Sequence, residues 1–441
     1  MQDSTLTNSK KIQFPLEGIS ALKVFFFFGF AYFLSYAFRA VNAVIAPDLI
    51  TDLGLGNTSL GLLSSAYFVG FALMQLPLGV WLDKYGSRRT ESILLLFAVL
   101  GSVLFGLAEN IIFATVGRGF IGAGVSACLM ASFTAYRRWY KPEQQGSLAS
   151  GMLVFGTAGV LMTTIPVQEV LPYIGWRGVF FTMATLVALA AIGIRFGLPK
   201  AGDPVVELTK TEASSEANKT SLISFKWLSG YGGIFKNGFF LQMLPMGIFN
   251  QGGFIAFQTL WFGPWFSHVV GFSDSQVAQS LFVFNLVLLS GYLFNAWAIP
   301  KLNERGISTF KYSGVFGGFA LVILFVAVKA GNHPYALYIW LLLGICSTSF
   351  ILGQSLIQIR FPKEMAGRAS TAYNLMLFVG AFTIQLGIGW LIDLFMAGGL
   401  TKSQSFTYAM YIMMLLQLAS YIWMWVAPKV LTGATVRPEQ P

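Results

Sequence analysis

Gly79 to Arg89 reads G-V-W-L-D-K-Y-G-S-R-R, and this stretch decides what kind of chain it belongs to. Long apolar runs flank it, at about 58–82 and 90–108. Asp83, Lys84, Arg88 and Arg89 are expensive to place in hydrocarbon, so the stretch sits at a membrane face, between two helices. Gly79 and Gly86 either let the helix ends approach closely or let the backbone take positive φ where it reverses.

Working outward, the 441 residues are 55% hydrophobic and only 10% charged. A soluble domain carries roughly 25% charged residues, so the class is a polytopic all-α membrane protein. Forty-two Phe and forty-seven Gly fit lipid-facing surface and close helix packing. The net charge of +10 does not argue for nucleic acid, because Lys and Arg gather in alternate loops. Cys128 and Cys346 both fall inside apolar runs and read as small packing residues. No nucleophile–base pair and no metal-ligand cluster stands in the spans, so neither an enzyme nor a cofactor is expected. Residues 1–18 are polar and the first apolar run is too long for a signal sequence, so no cleavable leader is expected.

Apolar runs long enough to span a bilayer number twelve: about 20–46, 58–82, 90–108, 111–136, 145–170, 176–198, 238–267, 275–299, 310–330, 335–359, 367–394 and 404–427. Lys10, Lys11, Lys23, Lys84, Arg88, Arg89, Arg137, Arg138, Lys141, Lys301, Arg305, Lys311, Arg360, Lys363 and Arg368 are expected at one face, and the opposite loops hold little beyond Arg177, Lys329 and Lys402. That asymmetry places both termini in the cytoplasm. Lys200 to Asn237 is polar and splits the runs six and six. The expected organisation is an N-terminal bundle at 1–199, a partly disordered cytoplasmic linker at 200–237 and a C-terminal bundle at 238–441. Within the linker, Leu222 to Phe235 is suited to a short interfacial helix. The halves also repeat. L-D-K-Y-G at Leu82–Gly86 matches L-N-E-R-G at Leu302–Gly306, and P-E-Q-Q-G at Pro142–Gly146 is echoed by K-E-M-A-G at Lys363–Gly367. Both pairs lie about 220 residues apart, the sign of parallel repeats.

The pattern Gly79-x-x-x-Asp83-x-x-Gly86-x-Arg88-Arg89 resembles the loop between helices 2 and 3 of the major facilitator superfamily. Arg118-x-x-x-Gly122-x-Gly124 is similar to that family's second motif, with Ile121 where Gln is usual. Gly175-Trp176-Arg177-x-x-Phe180 is a further shared element, and the likeness runs over essentially the whole chain. The Gly-Pro pair of the antiporter motif in helix 5 is absent. Tyr36-x-x-Arg39-x-x-Asn42-x-x-x-x-Pro47 resembles helix 1 of the organophosphate and organic-anion branches, although the seventh run lacks a second Arg. The resemblance implies two six-helix bundles around a central cavity, alternating access, a monomer, and a gating or coupling role for Gly79, Asp83, Gly86, Arg88, Arg89 and Arg118. The latch formed by Asp83 and the arginines would stabilise the outward-open state.

Arg39 and Arg118 are the charges deepest in the spans. An Arg at mid-span costs about 2.5–3.5 kcal/mol on insertion scales, so a cavity or a partner must compensate. Arg39 lies eight residues before Pro47, roughly 12 Å along the helix, which suits a central cavity. Its planar fork fits a carboxylate, phosphate or sulfonate; the other reading is an Arg satisfied by helix carbonyls. Arg118 is open between coupling and packing against Gly122 and Gly124. Tyr36 shares the Arg39 face, with Asn42 one turn on. By repeat symmetry the seventh run also lines the cavity. There Pro245, Gly252 and Gly253 weaken the helix, and Asn250, Gln251, Gln258 and Trp261 offer amides and an aromatic wall. Each amide could equally be an interhelical hydrogen bond.

No Asp or Glu is expected near the middle of a span, which disfavours cationic drugs. Protons, if coupled, would have to use Glu169, Asp48 or His268, all near the outer face. The expectation is a secondary transporter for a small organic anion in a bacterial inner membrane. Efflux of hydrophobic compounds is the alternative, and a transporter-like sensor a third.

Overall fold

The computed structural model describes residues 16–141, 144–198 and 231–431. Among these residues there are helices and no strand. Ten helices have the length and apolarity of a membrane span. The shorter Ser147–Met162 and an irregular seventh rod bring the passes to twelve. Most of the 200–237 linker lies outside the described residues; its tail forms a short helix at Tyr231–Phe235.

Helix α1 is Gly18–Ala40, carried past a break at Val41 by Asn42–Leu53. Pro47 sits inside that second segment and has no N–H for the Ala43 carbonyl four residues back. Helices α2 (57–85) and α3 (87–106) are one run, Asn57–Gly106, interrupted only at Gly86, whose φ of 77° and ψ of 165° suit glycine alone. The expected loop at 79–89 is therefore helical on both sides of a one-residue break, and the charged side chains are carried on helix ends. Gly79 needs correction. It is in the helix, and a Cβ there would meet open space, so neither close packing nor positive φ requires it.

Helix α4 is Ile111–Val125 with Cys128–Trp139, started by the Asn110 side chain accepting from the Ile112 and Phe113 amides. Helix α5 is Gln145–Met162 and continues through 165–174; a break at Gly175 (φ 65°) starts α6 at 176–197. Helix α7 runs from Gly238–Pro245 through Phe266–Val270, with widened π turns at Met246–Gly252, Phe257–Trp261 and Phe266–Val270. Helices α8 (Asp274–Glu304) and α9 (Thr309–Ala330) are unbroken, whereas α10 is Ala336–Ser347 joined to Leu352–Arg360 by a 3₁₀ turn. Helices α11 (Lys363–Ala397) and α12 (Lys402–Leu431) complete the chain.

The outer surface is apolar, with Leu189, Phe196, Val322 and Leu415 exposed, whereas Asn42, Arg118, Asn250 and Gln385 are buried. That inversion of a soluble protein's pattern is what lipid demands. An even number of passes puts the turns at Gly86, Trp139–Gln145, Glu304–Thr309 and Arg360–Lys363 on one face, the basic face.

The two halves meet at the other face. There α1 leans on α7 so closely that a Cβ on Gly263 would lie 2.0 Å from the Ala43 carbonyl oxygen, the carbonyl that Pro47 leaves without its helical donor. Nearby α2 leans on α11, where a Cβ on Gly61 would lie 2.8 Å from the Gln385 carbonyl oxygen.

Candidate functional site

Between these contacts and the basic face lies a cavity of about 360 Å³, lined by α1, α2, α4 and α5 of the first half and α7, α8, α10 and α11 of the second. Arg39 is the one charged residue among those that line it. Its guanidinium carbon lies 4.6 Å from the Tyr36 ring centroid and 5.5 Å from those of Phe71 and Phe378. Such ring faces offset part of the desolvation of a cation, about 0.5–2 kcal/mol each. Its Nε is buried without a hydrogen-bond partner, and among the described residues no carboxylate pairs with it. Phe378 comes from the second half, so the cation sits at the seam.

Of the sequence candidates, Tyr36, Arg39, Gln251 and Gln258 line this cavity together. The Tyr36 hydroxyl accepts from Tyr32 at 3.1 Å, and Gln258 donates to Asn285 Oδ1 at 2.8 Å. Asn42, Asn250 and Trp261 do not line it, and each has a helix-packing partner. Asn42 donates to Ser64 Oγ at 2.8 Å, Asn250 to Ser420 Oγ at 2.6 Å and Trp261 to the Gln385 carbonyl at 3.0 Å. Successive helical residues point about 100° apart, so Asn250 turns toward α12 where Gln251 turns inward. At Trp261 the π turn over Phe257–Trp261 shifts the register that a regular helix implies.

The gating candidates divide as well. Arg88 is buried and donates to the Arg195 carbonyl at 2.7 Å, in the last turn of α6, where a helix end favours a cation. Arg89 is half-buried one residue on. The Asp83 side chain lies outside the described residues. Arg118 is fully buried and away from the cavity. It donates to the Phe38 carbonyl at 2.9 Å, which ties α4 to α1 just before the Val41 break. Gly122, one turn on, lets α4 meet α2, where a Cβ would lie 1.9 Å from the Tyr67 carbonyl oxygen. For Arg118 the geometry is that of a strut.

Three features were not singled out in the sequence. Asp393 on α11 caps the start of α2 across the seam: Oδ2 accepts from the Thr58 amide (2.7 Å) and hydroxyl (2.6 Å), and Oδ1 from Asn57 Nδ2 at 2.8 Å. Asn57-Thr58 ahead of an apolar run is an N-terminal signature, but the partner half cannot be read from it. Asp52 accepts from Trp176 Nε1 and Arg177 Nη1, both at 2.9 Å, and these bonds hold its carboxyl below the usual range. That is the structural use of Gly175-Trp176-Arg177. Glu91 stands one turn after the Gly86 break, near the start of α3, and is fully buried there. Of the suggested proton carriers, His268 lines a second cavity of about 220 Å³ at the face remote from the basic turns, with Gln168, Asp274 and Lys402.

Comparison with known proteins decides the family. The family model described as Major Facilitator Superfamily matches residues 28–384. The chain belongs to the major facilitator superfamily. Its relatives are transporters and not enzymes. It is 28% identical over 156 residues to "Probable sulfoacetate transporter SauU" of Cupriavidus necator, covering 35% of this chain and 36% of that protein. The aligned part thus spans about a third of that relative's length. A fuller match, 22% identical, covers 82% of this chain and 85% of "Probable galactarate/D-glucarate transporter GarP" of Escherichia coli K12. Among solved structures, a bacterial homolog of the human lysosomal transporter Spinster, inward-facing and unoccupied, superposes with a TM-score of 0.76 at 16% identity, covering 96% of this chain and 100% of that one. The major facilitator fold supplies the two six-helix bundles, and the contents of the cavity supply the chemistry.

Proposed function

We propose that this major facilitator is a secondary active transporter for a small organic anion, carboxylate or phosphate-like, working by alternating access with Arg39 as the anchor. The observation that carries the reading is a single cation, cushioned by aromatic faces and without a carboxylate partner, in a central cavity at the seam of the halves. A guanidinium there meets an anion through two parallel charge-assisted hydrogen bonds. Anions named for its relatives are in keeping with this. The positive-inside bias makes the basic face cytoplasmic, both termini with it, in a bacterial inner membrane. On that orientation the contacts of α1 with α7 and α2 with α11 close the outer side, and the present form faces inward. The chain works as a monomer.

Efflux of hydrophobic compounds is the second reading, favoured by the Phe71, Phe133, Phe350 and Phe378 rings in the lining. A thermal-shift panel on purified wild type and Arg39→Ala separates the two. Ligand at 100 times its dissociation constant adds about 2.7 kcal/mol, a visible shift. The anion reading expects carboxylates, phosphates or sulfonates to stabilise wild type and not the variant. Equal shifts of both proteins by cationic or neutral apolar compounds would replace it with efflux.

A further inference from the structure

Inside the first half, apart from the cavity lining, stands one acid that the anion reading leaves without a use. Glu91 is 0% exposed, and both of its carboxyl oxygens lack a hydrogen-bond partner. Ser87 Oγ, one turn back on the same face of α3, is also buried and unpartnered. Two turns on, α3 and α4 cross so tightly that a Cβ on Gly124 would lie 2.2 Å from the Ala98 amide nitrogen. From α4 the titratable neighbours of Glu91 are Cys128 and Tyr136. Arg88, three residues back, donates to the Arg195 carbonyl of α6, and the Arg195 side chain is exposed. Among the described residues no cation forms an ion pair with Glu91. An ionised carboxylate without a partner is expensive in such surroundings, so this packing suits the neutral acid. Cys128 follows the interruption of α4 at Ser126 and Ala127. Ser126, Leu129 and Met130 line the cavity, and so does Tyr32, a further neighbour of Cys128. A single thiol thus stands between the buried acid and the cavity lining.

We propose that Glu91 is the proton site of the transport cycle: holding a proton favours the present form, closed at the face remote from the basic turns, and losing it favours the form open there. The link is α4. A bend at Ser126 and Ala127 lets cavity water reach the acid, and hydration is what an ionised carboxylate lacks in the present packing. The acid then exchanges its proton with whichever side the cavity faces. A proton suits the site better than a metal cation. Cys128 and Tyr136 offer a thiol and one hydroxyl where a hard cation wants several oxygens, and among the described residues no group of acids, His or Cys could hold a metal. The inference rests on alternating access and not on the cargo that Arg39 holds.

The test follows a Ser267→Cys reporter at the face remote from the basic turns, with the purified full chain in nanodiscs and a membrane-impermeant maleimide. Each labelling rate is divided by that of free cysteine at the same pH. Between about pH 6 and about pH 9 the parent's rate is expected to rise several-fold, one proton allowing at most about tenfold per pH unit. Glu91→Gln is expected to stay flat at the parent's acid limit. Glu91→Asp keeps the acid and is expected to move the midpoint, which assigns the dependence to this residue even where the glutamine variant does not fold. Infrared spectra should show a protonated carboxylic acid band that fades reversibly over the same range and is missing from Glu91→Gln. Parent labelling that ignores pH, an equal pH dependence in Glu91→Gln or an unmoved midpoint in Glu91→Asp would overturn the inference. A response to sodium at fixed pH, with none to pH, would replace the proton by that ion. Gly263→Val separates the two readings: labelling raised by it but not by pH leaves alternating access in place, and labelling raised by neither overturns both.

Discussion

Replacing Arg39 by alanine removes a guanidinium whose surroundings, among the described residues, are four aromatic rings and no carboxylate. The chain should still fold, because the Tyr67 hydroxyl beside Arg39 keeps its own bond to the Ser35 carbonyl when the guanidinium is gone. Anion affinity should fall by about 10- to 150-fold, the span of a lost charge-assisted contact of roughly 1.5–3 kcal/mol. Arg39→Lys should recover only part of it, since an ammonium keeps the charge and loses the fork. Titration of both variants with the best anion checks this, and full recovery by lysine would mean that charge alone anchors. Arg118→Leu predicts the opposite pattern. It takes the donor from the Phe38 carbonyl and should lower the melting temperature, while the ranking of anions stays as in wild type. Thermal melting with and without anion separates these roles, and a changed ranking would make Arg118 part of the site. Both arginines were visible in the sequence as charges inside apolar runs. Their different uses were not, because only packing brings Phe38 to one and Tyr36, Phe71 and Phe378 to the other.

Helix ends and close crossings carry the conformational argument. Gly86→Ala places a side chain at φ 77°, ψ 165°, a backbone region costing about 1–3 kcal/mol for any residue but glycine. The protein should melt at lower temperature, and unchanged melting would mean that the α2–α3 turn adapts. At the face that holds the halves together, Asp393→Asn removes the carboxylate that accepts from Asn57 and Thr58, and Gly263→Val drives a side chain into the Ala43 carbonyl. Either change should favour the form open at that face. Labelling of a Ser267→Cys reporter by a membrane-impermeant maleimide should rise several-fold in both, and labelling equal to the parent's would show that these contacts do not hold the gate. Here the sequence was only partly legible. The Gly86 turn, the twelve runs and the weak seventh helix follow from charge, length and glycine or proline placement. Asp393 looked like any acidic group near a helix end, since its partners lie more than 300 positions away in the chain. Trp261 misled because two π turns, at Met246–Gly252 and Phe257–Trp261, reset the face of α7 before that side chain is reached.

At the scale of the molecule, two six-helix bundles touch at one face and enclose a cavity that holds one cation at their seam. Rocking about that seam would carry Arg39 and its cargo from one side of the membrane to the other. Fold class and family were legible because hydropathy, the basic loops and three short motifs agree. Substrate chemistry was not, because it depends on which amides are already satisfied by neighbours, and that is a property of packing. The most direct measurement is counterflow in proteoliposomes. Vesicles preloaded with an unlabelled organic anion should accumulate the labelled anion transiently through the wild type, and Arg39→Ala of equal abundance and melting behaviour should not. Accumulation undiminished in Arg39→Ala would contradict the account.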